Sequence, residues 1–267
     1  PAAPGAGADL EAAAGAAVAA HRELLRDVRD PWSLVRGAQL LGVTAHGHHF
    51  LFATHKHDTM SQREAVHIVQ QDVYGIRKFR PRSRRGTMLD IGGHIGMTAI
   101  MFKKTHPAMR VVSFEPTQQN RLFFALNLAL NGLPLGPGGV ELHGAALTSA
   151  EEMHVRLTYN EEDTLGSSLF VQPACGRRDR DRLSSPPTRT LRGVLDGEGI
   201  PFVDFMKLDC EGCEYEVVSS WDNATLGRIG HVVGEVHGWI STRIRRHKVN
   251  RAMAVMCARG WHLAGLS

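Results

Sequence analysis

Residues Gly86 to Ile100 read GTMLDIGGHIGMTAI, a short apolar run that closes on an aspartate and is followed by three glycines within five residues. Met88, Leu89 and Ile91 have the length and character of a buried strand, and Ile95 to Phe102 continues at helical spacing. The glycines therefore mark a strand-to-helix turn. Glycine permits positive φ and close approach of a ligand to the backbone, and the helix N-terminus that follows offers unpaired N–H groups with a partial positive charge. An anionic group is expected against this turn.

Outward from the turn the pattern alternates. Strands are predicted over Thr87–Ile91, Met109–Phe114, Gly139–Ala145, Phe202–Leu208 and His231–Val236, and helices over Met97–Thr105, Thr117–Leu130, Glu214–Ser220 and Thr242–Arg259. Alternation at this spacing specifies an α/β fold, with a mostly parallel sheet covered by helices on both faces. Upstream, residues 1–9 read as disordered and Leu10 to Val35 as a helix broken at Pro31. Two β-prone runs flank His46-Gly47-His48 and suggest a hairpin, and Ser61 to Val73 reads as a helix with Ser61 as N-cap and Glu64 completing a capping box. Residues 1–85 thus form a lead-in layer of helix, hairpin and helix, placed to act as a lid or acceptor-site layer, and residues 86–267 form the main domain. Between Glu151 and Ser185 the pattern is irregular, and CGRRDRDRLSSPPT (175–188) predicts a mobile surface loop.

At 267 residues with 43% hydrophobic content, the chain can bury a full core. It has no apolar run of membrane-spanning length, and the Ala-rich start LEAAAGAAVAA (10–20) lacks the basic segment of a secretory signal. Cys175, Cys210, Cys213 and Cys257 are too few and too scattered for a disulfide scaffold, which favours a reducing, cytoplasmic compartment. The first residue is not Met, which leaves open an organelle reached after removal of a targeting segment. Positive charge is concentrated in RKFRPRSRR (77–85) and RIRRHK (243–248) without interleaved recognition aromatics, the usual mark of a solvated surface and less often of a nucleic-acid footprint.

Ligands of open parallel sheets bind beyond the carboxyl ends of the strands. Here those ends carry Asp90 with Gly92, Gly93 and Gly96, then Glu115, then Asp209 with Glu211, then Glu235 with His237. Glu115 lies about twenty residues past the glycine turn, where a carboxylate ending the second strand accepts hydrogen bonds from both hydroxyls of a ribose. The turn is not the dinucleotide pattern G-x-G-x-x-G, because His94 takes the place of the second glycine, and the chain has no phosphate-binding G-x-x-x-x-G-K-[ST] loop. S-adenosylmethionine, with a ribose, no phosphate and a carboxylate for the helix N-terminus, fits these features better. Asp90 would orient the turn or reach the ligand through water.

Five stretches in order, LDIGGHIGMT, VVSFEPTQQNRLFFALNLALNGL, AALTSAEEMHV with GSSL behind it, FVDFMKLDCEGCEYEVV and VVGEVHG, resemble the FkbM family of S-adenosylmethionine-dependent methyltransferases over Ser61 to Trp261. The resemblance implies a class I methyltransferase fold with a seven-stranded, mostly parallel sheet. It places Asp90, Gly92, Gly93, His94, Gly96, Glu115, Pro116, Ala145, Ala146 and Asp209 around the cofactor. Where the family usually shows Gly-Ala-Asn after the first glycine, this chain has Gly93 and His94, so the His94 ring is expected to meet the methionine end of the cofactor differently. The sequence ends soon after GWHLAGLS, which suggests a final antiparallel strand that is short, missing or truncated.

Methyl transfer from a sulfonium is an in-line displacement, so the protein must align acceptor, methyl carbon and sulfur and accept a proton where needed. KLDCEGCEYE puts Lys207 and Asp209 on one strand face with Glu211 just beyond it, and the family motif Asp-x-Glu-Gly falls on Asp209, Glu211 and Gly212. Asp209 and Glu211 are read as shaping the acceptor site, with His237 or Glu235 taking the proton, a histidine doing so with an ordinary imidazole pKa of about 6–7. Asp209, Glu211 and Glu235 also form the candidate ligand set for Mg²⁺, although carboxylates commonly cluster without an ion. Cys210-x-x-Cys213 has the spacing of a redox or zinc half-site. With no second Cys pair or nearby His pair, and with both cysteines at small-residue positions of the family motif, it is read as neither. Histidines 46, 48, 49, 55 and 57 would be split between two faces of the hairpin and are read as surface or lid residues. Small-molecule O-methylation leads among the functions. RNA ribose 2′-O-methylation, suggested by the basic runs with Lys207, Asp209 and Glu235, is the alternative enzyme, and a catalytically silent binding protein is the alternative from another class.

Overall fold

The run Thr87–Ile91 is buried at every position and forms the central strand, β3, of a five-stranded parallel sheet in a computed structural model of the chain. The structure describes residues 38–55, 58, 60–151, 155, 157–160, 181–235 and 237, with isolated positions 15, 250, 251, 254, 255, 257 and 258. The predicted helix Leu10 to Val35, most of Thr242–Arg259, the basic run 243–248 and the C-terminal strand lie outside these residues.

Along the chain the elements are β1 (Ala38–Ala45), β2 (His48–His55), α1 (Met60–Glu64) widening into a π-helix over Ala65–Gln70, β3, α2 (Met97–Thr105), β4 (Arg110–Phe114), α3 (Gln118–Leu130) and β5 (Val140–His143). They continue as β6 (Ala146–Leu147), β7 (Leu157–Asn160), β8 (Asp181–Ser184), β9 (Thr188–Arg189), α4 (Leu191–Gly197), β10 (Val203–Leu208), α5 (Glu214–Ser219), α6 (Asn223–Gly227) and β11 (Ile229–Gly234). The main sheet runs β11-β10-β3-β4-β5 with every pairing parallel. Its five strands are those the alternation predicts: β3 has the predicted bounds, β4, β5 and β10 are shorter by one to three residues, and β11 begins and ends two residues earlier. Short α4 and α6, for which the sequence pattern carries no helical signal, cover one face. Among the described residues no helix is long and apolar enough to cross a membrane.

Strand alternation divides the core. In register across the sheet, Met88, Val111 and Phe205 enter one apolar cluster, and Leu89, Val112 and Met206 enter the other. The first is shared with the lead-in segment through Phe50, Phe52, Ile68, Val69 and Ile76, and the second with α4 and α5 through Leu191, Val194, Val217 and Val218. Residues 1–85, as far as they are described, are thus built into the same core as the sheet.

The predicted hairpin forms with His46 (φ 57°) and Gly47 (φ 79°) as its two turn residues, the left-handed pair that matches the twist of antiparallel strands. Its outer strand is not left with bare backbone. Asn127 on α3 accepts from the Ala53 amide at 2.6 Å and donates to the Ala53 carbonyl at 3.2 Å, and Asn131, one turn on, does the same for Leu51 at 3.3 and 2.6 Å. Asn residues at i and i+4 on a helix meet strand residues at i and i+2, so two side-chain amides act as a neighbouring strand. Asn127 also donates to the Ile95 carbonyl at 2.8 Å, which ties the hairpin to the glycine turn.

Two expectations change. The helix after the hairpin is capped by Asp58, whose carboxylate accepts from the Met60 and Ser61 amides at 3.1 and 3.0 Å and from the Ser61 hydroxyl at 2.7 Å. The cap thus falls three residues before Ser61, and Glu64 ends the α-helical turn instead of closing a capping box. The stretch read as a mobile loop contains β8, whose backbone pairs antiparallel with β7 from Leu157↔Ser184 to Asn160↔Asp181. Its polar sequence hid a ladder that rests on backbone bonds.

Replacing fully buried Asn127 by alanine leaves the Ala53 amide and the Ala53 and Ile95 carbonyls without these bonds, and is expected to destabilise the fold by about 2–4 kcal/mol, read from urea unfolding of N127A against wild type.

Candidate functional site

At the carboxyl ends of β10, β3 and β4 the register pairs Leu208 with Ile91 and Ile91 with Phe114, so Asp209, Gly92 and Glu115 emerge side by side. Gly92 (φ 82°) and Gly93 both donate to the Phe114 carbonyl, at 3.0 and 2.9 Å. A Cβ on Gly92 would lie 1.9 Å from the Asp209 carbonyl oxygen, and one on Gly93 2.2 Å from the Ser113 hydroxyl. The glycines are therefore required by strand ends closing on the turn, before any ligand is considered. Gly96 (φ 91°) caps α2 against Phe124. His94 (φ 48°) occupies a left-handed position, a conformation in which Asn and His are both enriched, so a ring can replace the family's amide here without a change of backbone.

Lys207 joins the two strand ends from beneath. Its buried ammonium donates to the carbonyls of Gly92 and of Asp209, the latter at 3.0 Å, and lies 3.8 Å from Asp90 and 3.7 Å from Asp209. Burial opposes its charge, but the carboxylates of Asp209 and Asp90 outweigh this and hold its pKa above the ordinary lysine range. Lys207 is thus a fixed cation inside the fold. Asp90 is fully buried, accepts from Ser113 at 2.8 Å and has its carboxyl pushed up by burial.

Above these ends opens a cavity of about 800 Å³, its mouth included. Of the predicted site residues, Gly92, Gly93, His94, Glu115, Pro116, Ala145, Ala146, Lys207, Asp209 and Glu211 line it, whereas Asp90, Gly96, Glu235 and His237 do not. Asp90 and Gly96 support the wall from behind. Glu115 accepts from the His94 amide at 2.9 Å on Oε2, and from the Thr117 amide at 2.7 Å and the Asn120 side chain at 3.3 Å on Oε1, which fixes its buried carboxylate and leaves Oε2 the better placed for a further donor. Burial pushes the Glu115 carboxyl upward, and burial of the His94 ring pulls that pKa down to about 4, leaving it neutral.

The sequence points to the lead-in layer as a lid or acceptor-site layer but does not single out the residues through which it reaches the cavity. Glu64, Ile68 and Tyr74 line the cavity opposite the strand ends. The Tyr74 hydroxyl donates to Asp209 at 2.7 Å, and burial followed by the Asp209 charge raises its pKa well above that of a free phenol. Glu64 is raised by burial and then by Asp209 and Glu235. Its place in an apparent capping box concealed this role, which follows from the packing of the continuing π-helix against β1 and α2.

His237 is the hub of a second arrangement. Its Nδ1 lies 2.9 Å from fully buried Glu214, and its Nε2 lies 3.4 Å from Glu211 and 4.0 Å from Asp209. Burial alone would lower its pKa. The hydrogen bonds to Glu211 and Glu214 and their charges reverse this and raise it to about 11. The ring is therefore held as an imidazolium at neutral pH, away from the near-neutral range expected of a proton acceptor. Asp209, Glu211 and His237 bring one ligand atom each within 4.8 Å of one another, the geometry of a possible cation site, and Glu235 is not in that set. A second cluster, Glu141, His143 and Glu198, is compensated by Arg110, which meets Glu141 at 2.6 Å.

Contrary to the reading of CxxC as inert, Cys210 and Cys213 form a disulfide across the turn that carries Glu211 and Gly212. The turn puts both Glu211 (φ 53°) and Gly212 (φ 117°) in left-handed conformations, a feature that cysteine counting does not reveal. The described basic run, residues 77–85, leads into the amino end of β3, and Arg82 sits 5.0 Å over the Phe202 ring just before β10. It is therefore at the opposite end of the sheet from the cavity.

A family model described as the methyltransferase FkbM domain matches residues 90–261. Similar proteins include the AMB antimetabolite synthetase AmbE of Pseudomonas aeruginosa, 27% identical over 180 residues that make up 56% of this chain and 8% of that protein. Methyltransferase 1 of Beauveria bassiana is 23% identical over 163 residues, 56% of this chain and 64% of its own length. The chain spans less than two thirds of either relative.

The His237 arrangement has a direct readout. Its ring is expected to remain protonated in NMR titration through pH 9, and Glu214→Gln should bring the titration back toward neutrality. Since the folded-state pKa lies above the ordinary value of 6.5, this group stabilises the fold fully below that pH and loses its contribution as pH rises through about 11.

Proposed function

The chain belongs to the FkbM methyltransferase family, and on that premise we propose that it moves the methyl group of S-adenosylmethionine onto a hydroxyl of a small molecule. The observation that carries this reading is Glu115, a buried carboxylate fixed by two backbone amides at the end of β4, beside the glycine turn. Carboxylates in that place hold the two hydroxyls of a ribose. The residues present fit the cofactor: Gly92 and Gly93 leave the turn open, Ala145 and Ala146 are small residues in the wall, and His94 is neutral beside them. When bound, the cofactor supplies an activated methyl group on a sulfonium sulfur.

The chain's own residues supply binding, orientation and proton transfer. Glu115 binds the ribose. Lys207 keeps the Asp209 end of β10 against the glycine turn, so that Asp209, braced by Tyr74, faces the acceptor. Glu211 and Glu64 line the rest of that space. His237, protonated by its carboxylate neighbours, positions Glu211 and does not take the proton. Glu235 does not line the cavity, but it is exposed just past the end of β11, near enough to Asp209 for that charge, after burial, to raise its carboxyl; as the remaining acceptor read from the sequence it takes the proton from the cavity rim.

The name of one relative, an antimetabolite synthetase, accords with a small-molecule acceptor. The basic run lies at the far end of the sheet, which weighs against RNA threaded across the cavity. A divalent cation at Asp209 and Glu211 would compete with the His237 proton, so the decisive screen offers hydroxylated metabolites, sugars and RNA with and without EDTA. Methylation of RNA alone would replace this reading.

Calorimetry is expected to show binding of S-adenosylhomocysteine, with Glu115→Ala weakening it by about 1–3 kcal/mol. Wild-type affinity in E115A would remove Glu115 from the site. For turnover, kcat/KM should rise with pH through an apparent pKa above the ordinary glutamate value, because Glu235 is raised. This limb should disappear in Glu235→Gln with a loss of roughly 100- to 10,000-fold, and should persist in His237→Ala.

A further inference from the structure

We propose that Cys210 and Cys213 are a reversible thiol–disulfide exchange site, and that its reduction by a dithiol loosens the turn bearing Glu211 and slows methyl transfer. The slowing rests on the function proposed above; the exchange and the loosening do not. The bond closes a four-residue turn whose two inner residues are Glu211 and Gly212, and both cysteines line the cavity. Cys213 is 1% exposed and packed in the apolar cluster under α5, whereas Cys210 is only partly buried and packs against that cluster's edge. A dithiol entering the cavity thus meets the Cys210 sulfur first.

The step balances without a further reactant. A thiolate of the dithiol attacks Cys210 Sγ, the Cys210–Cys213 bond breaks, and Cys213 leaves as a thiolate that takes up a proton. The second thiol of the reductant then attacks the mixed disulfide and releases Cys210 as a thiol. Two electrons and two protons pass to the protein, and the dithiol departs as its own disulfide.

The consequence follows from what else holds the turn. Glu211 is a non-glycine residue at φ 53°, a region an L side chain adopts only under constraint. Besides the disulfide, the turn is tied by Glu214, which accepts from the Cys210 amide at 3.1 Å and the Gly212 amide at 3.1 Å. The same carboxylate holds His237, which pairs with Glu211 at 3.4 Å. With the bond open, Glu211 is free to leave the left-handed region, and its pairing with His237 goes with it. Glu115 and the glycine turn lie on other strands, so cofactor affinity is expected to change only a few-fold.

The test uses the full chain equilibrated with oxidised or reduced dithiothreitol, with cysteine alkylation and mass spectrometry counting the thiols at 210 and 213. Amide hydrogen exchange at Cys210 and Gly212, S-adenosylhomocysteine affinity and turnover are measured in both forms. The expected result is full and reversible conversion of the pair, exchange at least tenfold faster at the two amides after reduction, and turnover at least tenfold slower, all restored on reoxidation. Cys210→Ser should show the reduced values and no response to dithiol; should it misfold, the reversible wild-type cycle decides alone. Thiols that persist in the oxidised buffer, equal amide exchange in the two forms, or equal turnover overturn the proposal. A protein that binds no S-adenosylhomocysteine in either form overturns the methyltransferase reading instead, and the alkylation and exchange data still decide whether the redox site exists.

Discussion

A lysine ammonium buried between two aspartates holds the working end of this molecule together. Lys207 reaches from β10 under the glycine turn of β3, with Asp90 on one side and Asp209 on the other. A charge taken out of water is tolerated only with paired charge and hydrogen bonds, and here it has both, including carbonyls from each of the two strands it joins. The geometry of the turn depends on this. Gly92 must be glycine because the Asp209 carbonyl is drawn so close, and Asp209 is in place to receive Tyr74 because its strand end cannot drift away.

Around that fixed cation the cavity is acidic. Asp209, Glu211 and Glu64 line it, Glu214 is buried outside its lining and Glu235 is exposed at the end of β11, which explains why several groups titrate away from their ordinary ranges in the same neighbourhood. Glu64 and Glu235 are raised first by burial and next by Asp209, while His237 is pulled the other way by carboxylates on three sides. A histidine so surrounded is an electrostatic brace. It neutralises part of the charge, orients Glu211 and, through Glu214, is connected to the backbone of the disulfide-closed turn.

The lead-in layer matters for the same space. A hairpin alone is marginally stable, and this one is held by two asparagine amides on α3 and by Phe50 and Phe52 in the shared core. Anchoring the hairpin positions the helix that follows it, and that helix delivers Glu64 and Ile68 to the cavity, with Tyr74 close behind. Part of the cavity wall is thus carried by a segment that the sheet itself does not contain.

The sequence by itself determined the sheet and its cofactor-side edge. Short apolar runs alternating with helical spacing, glycines after Asp90 and a carboxylate at Glu115 are local signals, each readable within a few residues, and the five strands and the glycine turn appear where those signals put them to within a few residues. The hairpin turn at His46-Gly47 was legible for the same reason. What only the tertiary structure decided depends on residues far apart in the chain. Glu64 has the local spacing of a capping residue, and comes close enough to feel the Asp209 charge only because its helix packs against β1 and α2. His237 has the side chain of a proton acceptor, and Glu211 and Glu214 from another segment make it a cation. Strand β8 lacks an apolar pattern because its ladder with β7 rests on backbone bonds. Spacing left Cys210 and Cys213 ambiguous, and the left-handed turn at Glu211 and Gly212 brings their sulfurs together. Local patterns fix where backbone elements form, while the charge state and reach of a side chain are set by whatever the fold places beside it.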